Sequence, residues 1–163
     1  MGAGKTNAMR ILDVSGITYR VHEYDHRDGQ IDGIAVAEKL HQPTAQVFKT
    51  LVTQGNSKNY YVFVLPVSCE LDLKAAARSV EEKSVEMIHA ADLQKVTGYI
   101  RGGCSPVGMK KSYPTVLDES AFNFSTIMVS AGRIGQQIEL SPQDLQAVTG
   151  CKSEAIAATG RKG

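Results

Sequence analysis

Gly98-Tyr99-Ile100-Arg101-Gly102-Gly103-Cys104-Ser105-Pro106-Val107-Gly108 is the stretch on which the reading of this chain turns, and four of its eleven residues are glycine. Without a Cβ, a backbone can turn tightly and bring its N–H groups close to a ligand. Ser105-Pro106 sets a further turn, because proline presets its own φ and pushes the preceding residue toward extended geometry. Lys110 and Lys111 follow. By itself the segment has two readings, the wall of a binding site and a long surface loop.

Outward from it, the chain alternates helical and extended patterns. On its N-terminal side, His89 to Val96 is helical with Gly98 as C-cap, Ser84 to Met87 is a strand, and Leu71 to Val80 is a helix centred on Ala75-Ala76-Ala77. Tyr60 to Val67 is the strongest strand signal, reached through a turn at Gln54–Ser57 from the strand Thr50–Thr53. Ala45 to Lys49 reads as a short helix, as does Ile34 to Leu40, which ends before Pro43. Tyr24 to Gly33 is polar and turn-rich. Ile17 to His22 alternates as a half-buried strand. Thr6 caps a first helix that stops at Gly16. On the C-terminal side lie three more strands, Thr115–Asp118, Thr126–Val129 and Gln137–Leu140. Ser141-Pro142-Gln143-Asp144 then starts a helix with a capping serine, a first-turn proline and an acid at N3, and Gly150 ends it. The ends, about 1–5 and 157–163, read as flexible, and the last dozen residues as fraying. No repeat or linker divides the chain, so 1–163 reads as a single domain. Strands and helices interleave without a βαβ rhythm. An α/β (α+β) fold is therefore expected, with a mixed, largely antiparallel sheet or partial barrel and flanking helices.

Composition narrows the function. The chain has 163 residues, enough for one domain with a sizeable core. Hydrophobic content is 42% and charged content 21%, as in soluble globular proteins. There is no run of 18 apolar residues and no charged-then-apolar leader, so neither a membrane span nor a signal peptide is expected. A net charge of +1 argues against unassisted binding along nucleic acid, although not against recognition of a short end. Cys69, Cys104 and Cys151 are odd in number and form no CxxC pair, which fits a reduced, cytoplasmic setting.

Three sharper signals fail. Gly2-Ala3-Gly4-Lys5-Thr6 resembles the end of a phosphate-binding loop but lacks the earlier glycine and the feeding strand. His22, His26, His41 and His89 show no ligand spacing, so no metal or cofactor is expected. Cys104 lies in the glycine-rich turn, but no histidine is near it in sequence to act as base, so it reads as a small residue filling a turn.

Five pieces then occur in order: Gln46-Val47-Phe48-Lys49-Thr50-Leu51, Leu71-Asp72-Leu73-Lys74, Thr97-Gly98-Tyr99, Gly102-Gly103-Cys104-Ser105-Pro106-Val107-Gly108 and Val129-Ser130-Ala131-Gly132. With His22-Glu23-Tyr24 near the start, this ordered set resembles the YbaK/EbsC family, from about Ile11 to about Ile156. These are freestanding relatives of the editing domain of bacterial prolyl-tRNA synthetase. The resemblance implies a trans-editing deacylase acting on the aminoacyl-tRNA acceptor end. Its wording is most similar to the branch that removes cysteine from Cys-tRNA(Pro), and less selectively from Cys-tRNA(Cys). Prolyl-tRNA synthetase is the partner so implied. By residue matching, Lys49 is the functional lysine, and Tyr24, Thr50, Tyr99, Gly102, Gly103 and Ser130 fall on pocket positions. Two positions depart from the pattern: Asp32 stands where some members carry an aromatic residue, and Gln137 where some carry an aspartate.

Ester cleavage passes through an oxyanion, for which preorganised donors are worth about 2.7–4 kcal/mol each. Given that substrate, the Gly102 and Gly103 N–H groups are candidate donors, and Lys49 is a candidate cation for phosphate or developing charge. The chain offers no nucleophile with a base beside it, which suits the family's substrate-assisted account, in which the bound cysteine's thiol attacks its own ester. Thr50 and Ser130 either orient the substrate or are satisfied hydroxyls at strand ends. Tyr24 and Tyr99 either stack on the terminal adenine or are core tyrosines. Two other classes stay open: a non-catalytic module for aminoacyl-tRNA ends or a synthetase, and a thiol enzyme using Cys104. A deacylase for another small amino acid, such as alanine, is the nearest alternative.

Overall fold

The computed structural model describes residues 4–158. Thr6 starts α1 (Asn7–Val14). Its hydroxyl accepts from Met9 N at 3.2 Å and donates to the Ala131 carbonyl at 2.6 Å, so one side chain caps the helix and ties it to a distant turn. β1 (Arg20–Glu23) follows. After a turn-rich loop, Asp32 caps α2 (Gly33–Lys39) by accepting from Ala35 N at 3.0 Å. β2 (Phe48–Gly55) and β3 (Tyr60–Pro66) form an antiparallel hairpin, with Lys49 opposite Leu65 and Gln54 opposite Tyr60. Then come β4 (Glu70–Leu71), α3 (Leu73–Ser79), β5 (Val85–Met87) and α4 (Ala90–Thr97), which ends at Gly98 in the left-handed region. β6 (Thr115–Asp118) runs into a 3-10 turn at Glu119–Asn123. β7 (Ile127–Ser130), β8 (Gln136–Leu140), α5 (Pro142–Thr149), β9 (Lys152–Glu154) and β10 (Ala157–Ala158) complete the order.

The strands form three open sheets: β5-β2-β3-β6-β9, β1-β8-β7 and the pair β4-β10. Pairing is antiparallel except for β3 with β6 and β6 with β9, giving the mixed, largely antiparallel arrangement expected. The two larger sheets meet where Met128 N donates to the Gln46 carbonyl at 3.0 Å, beside a bridge between Val47 and Met128. That junction sets the start of β2 beside β7.

Alternate residues of β3 serve different cores. Val62 and Val64 join Leu12, Phe48, Leu117 and Ile138, whereas Tyr61 and Phe63 pack with Ala76, Val85 and Ile156 beneath α3. A strand covered on both faces reads as an unbroken apolar run, which is why it was the clearest in the sequence. A third, smaller cluster of Ala37, Val47, Val67 and Met128 seats α2.

Three expectations are corrected. Residues 44–46 form a turn, and Phe48 and Lys49 belong to β2 rather than to a short helix. Pairing with Pro66 and Leu65 decides their conformation, overriding a weak local preference. The first strand begins at Arg20 rather than Ile17, where β8 becomes available as partner. The chain does not fray over 152–158, because β9 extends the large sheet and Ala157 pairs with Leu71. The remainder of the ends expected to be flexible, 1–3 and 159–163, lies outside the described residues.

Candidate functional site

A cleft of about 730 Å³ opens where four segments converge: the loop and N-terminal turn around Tyr24–Val36, the first half of β2, the glycine-rich turn at 101–104, and the facing residues Ser130 and Gln137. Five residues singled out in the sequence line it: Tyr24, Lys49, Thr50, Gly102 and Ser130. Tyr99 and Gly103 do not.

Lys49 stands near the start of β2 and is half-buried. Burial holds its ammonium below the ordinary lysine range, an effect partly offset by Cys69 and Glu70 nearby. Thr50, on the core side of β2 between Phe48 and Val52, has a buried hydroxyl without a hydrogen-bond partner. The Tyr24 hydroxyl and the Gln137 carboxamide oxygen are likewise buried and unpartnered. A buried polar atom left unpaired costs roughly 1–3 kcal/mol. Three of the six such atoms found among the described residues belong to residues lining this cleft, the other three being on Ser120, Arg133 and Gln136, and their grouping here suits a polar ligand. Cavities of about 250 and 300 Å³ elsewhere contain none of the buried unpartnered side-chain atoms found among the described residues.

Ser130 lies opposite Gln137 across β7 and β8. Its hydroxyl accepts from Gly132 N at 3.1 Å, holding the turn after β7 in shape. Gly102 has φ +85°, in the left-handed region that favours glycine, and a Cβ there would meet Ile31 Cδ1 at 2.7 Å.

The two remaining sequence candidates shape the site from behind. The Gly103 N–H donates to the Ile100 carbonyl at 3.0 Å, which uses it in the turn. A Cβ on Gly103 would lie 3.0 Å from Ile134 N and 3.1 Å from the Arg133 backbone, so glycine lets the two turns pack backbone to backbone. The Tyr99 hydroxyl donates to the Val107 carbonyl at 2.7 Å, and its ring fills the space that a Cβ on Gly132 would need. Burial pushes its phenol up to about 12.

Cys104 lines the cleft, but burial raises its thiol to about 11, so it is protonated at neutral pH and a poor nucleophile. No group of three or more His, Cys, Asp or Glu side chains among the described residues is placed to hold a metal ion.

Sequence reasoning did not place Ile31, Ile34 or Val67 at the site, although they supply much of its apolar lining. Ile31 is an isolated apolar residue in a polar loop, and Ile34 and Val67 read only as parts of a helix and a strand, with nothing to mark which way they face. Gln137 was visible only as a departure from a family pattern.

A family model described as "Aminoacyl-tRNA editing domain" matches residues 32–148. The chain belongs to this family. A protein of Enterococcus faecalis, "Putative Cys-tRNA(Pro)/Cys-tRNA(Cys) deacylase EbsC", is 47% identical over 145 residues, which is 89% of this chain and 88% of that one. Among solved structures, "Crystal structure of a putative trans-editing enzyme for prolyl tRNA synthetase" is 23% identical, covers 96% of this chain and 99% of that one, and superposes with a TM-score of 0.82. A hypothetical protein, 21% identical over 94% of this chain and 100% of that one, reaches 0.86. These two likenesses establish the editing-domain fold. No helix among the described residues is long and apolar enough to cross a membrane.

Proposed function

We propose that this chain is an aminoacyl-tRNA deacylase that removes cysteine from Cys-tRNA(Pro), with Cys-tRNA(Cys) as a second substrate. The observation that carries the reading is the cleft itself. Its lining combines one half-buried cation, Lys49, with three residues that carry unpartnered polar atoms, Tyr24, Thr50 and Gln137. An aminoacyl ester on a terminal ribose presents what that surface lacks: an ammonium group, ribose hydroxyls and a carbonyl that becomes an oxyanion. The family supports an aminoacyl-tRNA substrate, and the name of the 47% identical relative supports the cysteinyl one.

The site favours substrate-assisted cleavage. Cys104 is held protonated, and among the described residues no imidazole–hydroxyl pair lines the cleft. In our reading the substrate's thiol sulfur bonds to its own ester carbonyl carbon. The carbonyl–ribose C–O bond then breaks, and the ribose oxygen leaves with the proton that the thiol gave up. This makes cleavage lyase-like in its first step, which leaves cysteine as a cyclic thioester; water then adds to that carbonyl and the C–S bond breaks, giving free cysteine. Lys49 neutralises the developing oxyanion or anchors the terminal phosphate, Gly102 lets the backbone approach, and Tyr24, Thr50 and Ser130 orient the ester. Orientation of this kind is worth several kcal/mol. With a net charge of only +1, choice among tRNAs rests on a partner, for which we propose prolyl-tRNA synthetase in the cytoplasm.

The test is a deacylation panel of Cys-, Ala-, Ser- and Pro-tRNA(Pro) with purified protein. Rapid loss of the cysteinyl ester, with the others near background, is expected. Fastest cleavage of the alanyl ester would move the chain to another substrate branch, and tight binding without ester loss would make it a non-catalytic module.

A further inference from the structure

One wall of the cleft is a loop with few hydrogen bonds to the rest of the molecule, a further tie being the His26 ring packed on Gly135. Between β1 and α2, residues 25–31 bond chiefly among themselves: Gly29 N to the His26 carbonyl, Gln30 N to the Asp28 carboxylate, and the Arg27 guanidinium to Asp25. Yet this segment carries Gly29 and Ile31 into the cleft, and Ile31 reaches across to the Gly102 turn. Its hydrogen bonds to the body, among the described residues, come from one side chain. Lys39, in the last turn of α2, donates to the Asp25 carbonyl at 2.7 Å, the Asp28 carboxylate at 2.8 Å and the Gln30 carbonyl at 3.0 Å. An ammonium has three N–H donors, and here each has an acceptor on the loop. The side chain is 22% exposed, against 75% for Lys95 in the equivalent turn of α4. A solvated lysine does not give up its water for three acceptors drawn from one six-residue stretch unless that stretch is being held.

We propose that Lys39 is a positioning residue for deacylation: it fastens the 25–31 loop to α2 and thereby keeps the Ile31 wall of the cleft in its substrate-binding arrangement. Lys39 touches no reacting atom. It raises the fraction of molecules whose wall is in place, and apparent affinity scales with that fraction. The proposal rests on the deacylase reading for its kinetic consequence but not for its structural one.

Lys39→Met and Lys39→Arg separate the possibilities. Met keeps the apolar stem and loses every donor, while Arg keeps charge and donors. For Lys39→Met, KM for Cys-tRNA(Pro) is expected to rise about tenfold with kcat within about twofold, as a tenfold fall in the competent fraction requires. Lys39→Arg is expected to recover most of that loss. Limited trypsin digestion reads the loop without any substrate, because Arg27 is 88% exposed on it. Cleavage after Arg27 should quicken in Lys39→Met, while cleavage after Lys58, in the β2–β3 turn, stays unchanged. An unchanged KM, a loss confined to kcat, equal acceleration at Arg27 and Lys58, or no recovery by arginine would each overturn the proposal. If the unaltered protein cleaves no ester on the panel, the deacylase reading fails, and the Arg27/Lys58 ratio still decides whether Lys39 holds the loop.

Discussion

Thr50 separates binding from stability more cleanly than any other residue in the cleft. Its hydroxyl is buried without a partner, so replacing it by a methyl group removes a desolvated polar atom at almost no change in shape. Thr50→Val is expected to leave the urea midpoint unchanged or raise it, while kcat/KM for Cys-tRNA(Pro) falls about tenfold. Lost activity with lost stability would make Thr50 structural. Lys49→Ala is expected to cost about 10²–10³-fold in kcat/KM, the size of one charge-stabilising group. Because burial lowers the proton affinity of Lys49, its charge is lost at a lower pH than that of an exposed lysine. The alkaline limb of the rate profile should therefore begin early, and Lys49→Arg, which keeps its charge, should push it higher. Tyr24, Lys49, Thr50, Gly102 and Ser130, each picked out by matching a short motif to the family pattern, come together in the lining of one cleft. Tyr99 and Gly103 sit in the same motifs for another reason, since a motif records packing needs as faithfully as chemical ones. Only the Tyr99 hydroxyl bonded to Val107, and the Arg133 backbone against Gly103, distinguish the two.

Two turns meet at the back of the cleft, and their contact admits little change. A Cβ at Gly103 would press on Ile134 N and the Arg133 backbone, neither of which can swing aside as a side chain would. Gly103→Ala is expected to shift the 130–135 turn, lower the melting temperature by several degrees and reduce kcat/KM through misplaced Ser130. Paired thermal melts and kinetics would check this, and unaffected kinetics at reduced stability would confine Gly103 to folding. Most elements were readable for ordinary reasons. Ser141-Pro142 and Asp72 cap their helices, Gly98 and Gly150 end theirs, and β3 is apolar throughout because both its faces are covered. The strands that were missed, β4, β9 and β10, are two or three residues long and mostly exposed, and the 3-10 turn at Glu119–Asn123 was missed as well. These strands exist because a partner strand is present, which no local pattern encodes.

Across the whole molecule, the cleft draws on residues from Tyr24 to Gln137, so it forms only when both larger sheets are joined at Gln46 and Met128. Asp118 performs a similar service at the far edge. One carboxylate oxygen accepts from Ile156 N and Ala157 N, both at 2.9 Å, and the other from Ser120 N at 3.1 Å. Asp118→Ala strands three backbone donors and is expected to cost about 2–4 kcal/mol in urea denaturation, with little effect on KM measured well below the transition. An unchanged midpoint would show that water replaces the carboxylate. The parallel pairing of β6 with β9 has a consequence for synthesis in the cell. While a nascent chain is still on the ribosome, β2, β3 and β6 can assemble, but β9 is translated some thirty-five residues after β6. Until then the β6 edge, with Val116 and Leu117, faces outward with its backbone unpaired. A chain held at the stage where β6 has emerged from the ribosome and β9 has not would therefore leave exposed the strand edge that neighbouring nascent chains on a polysome could most readily join.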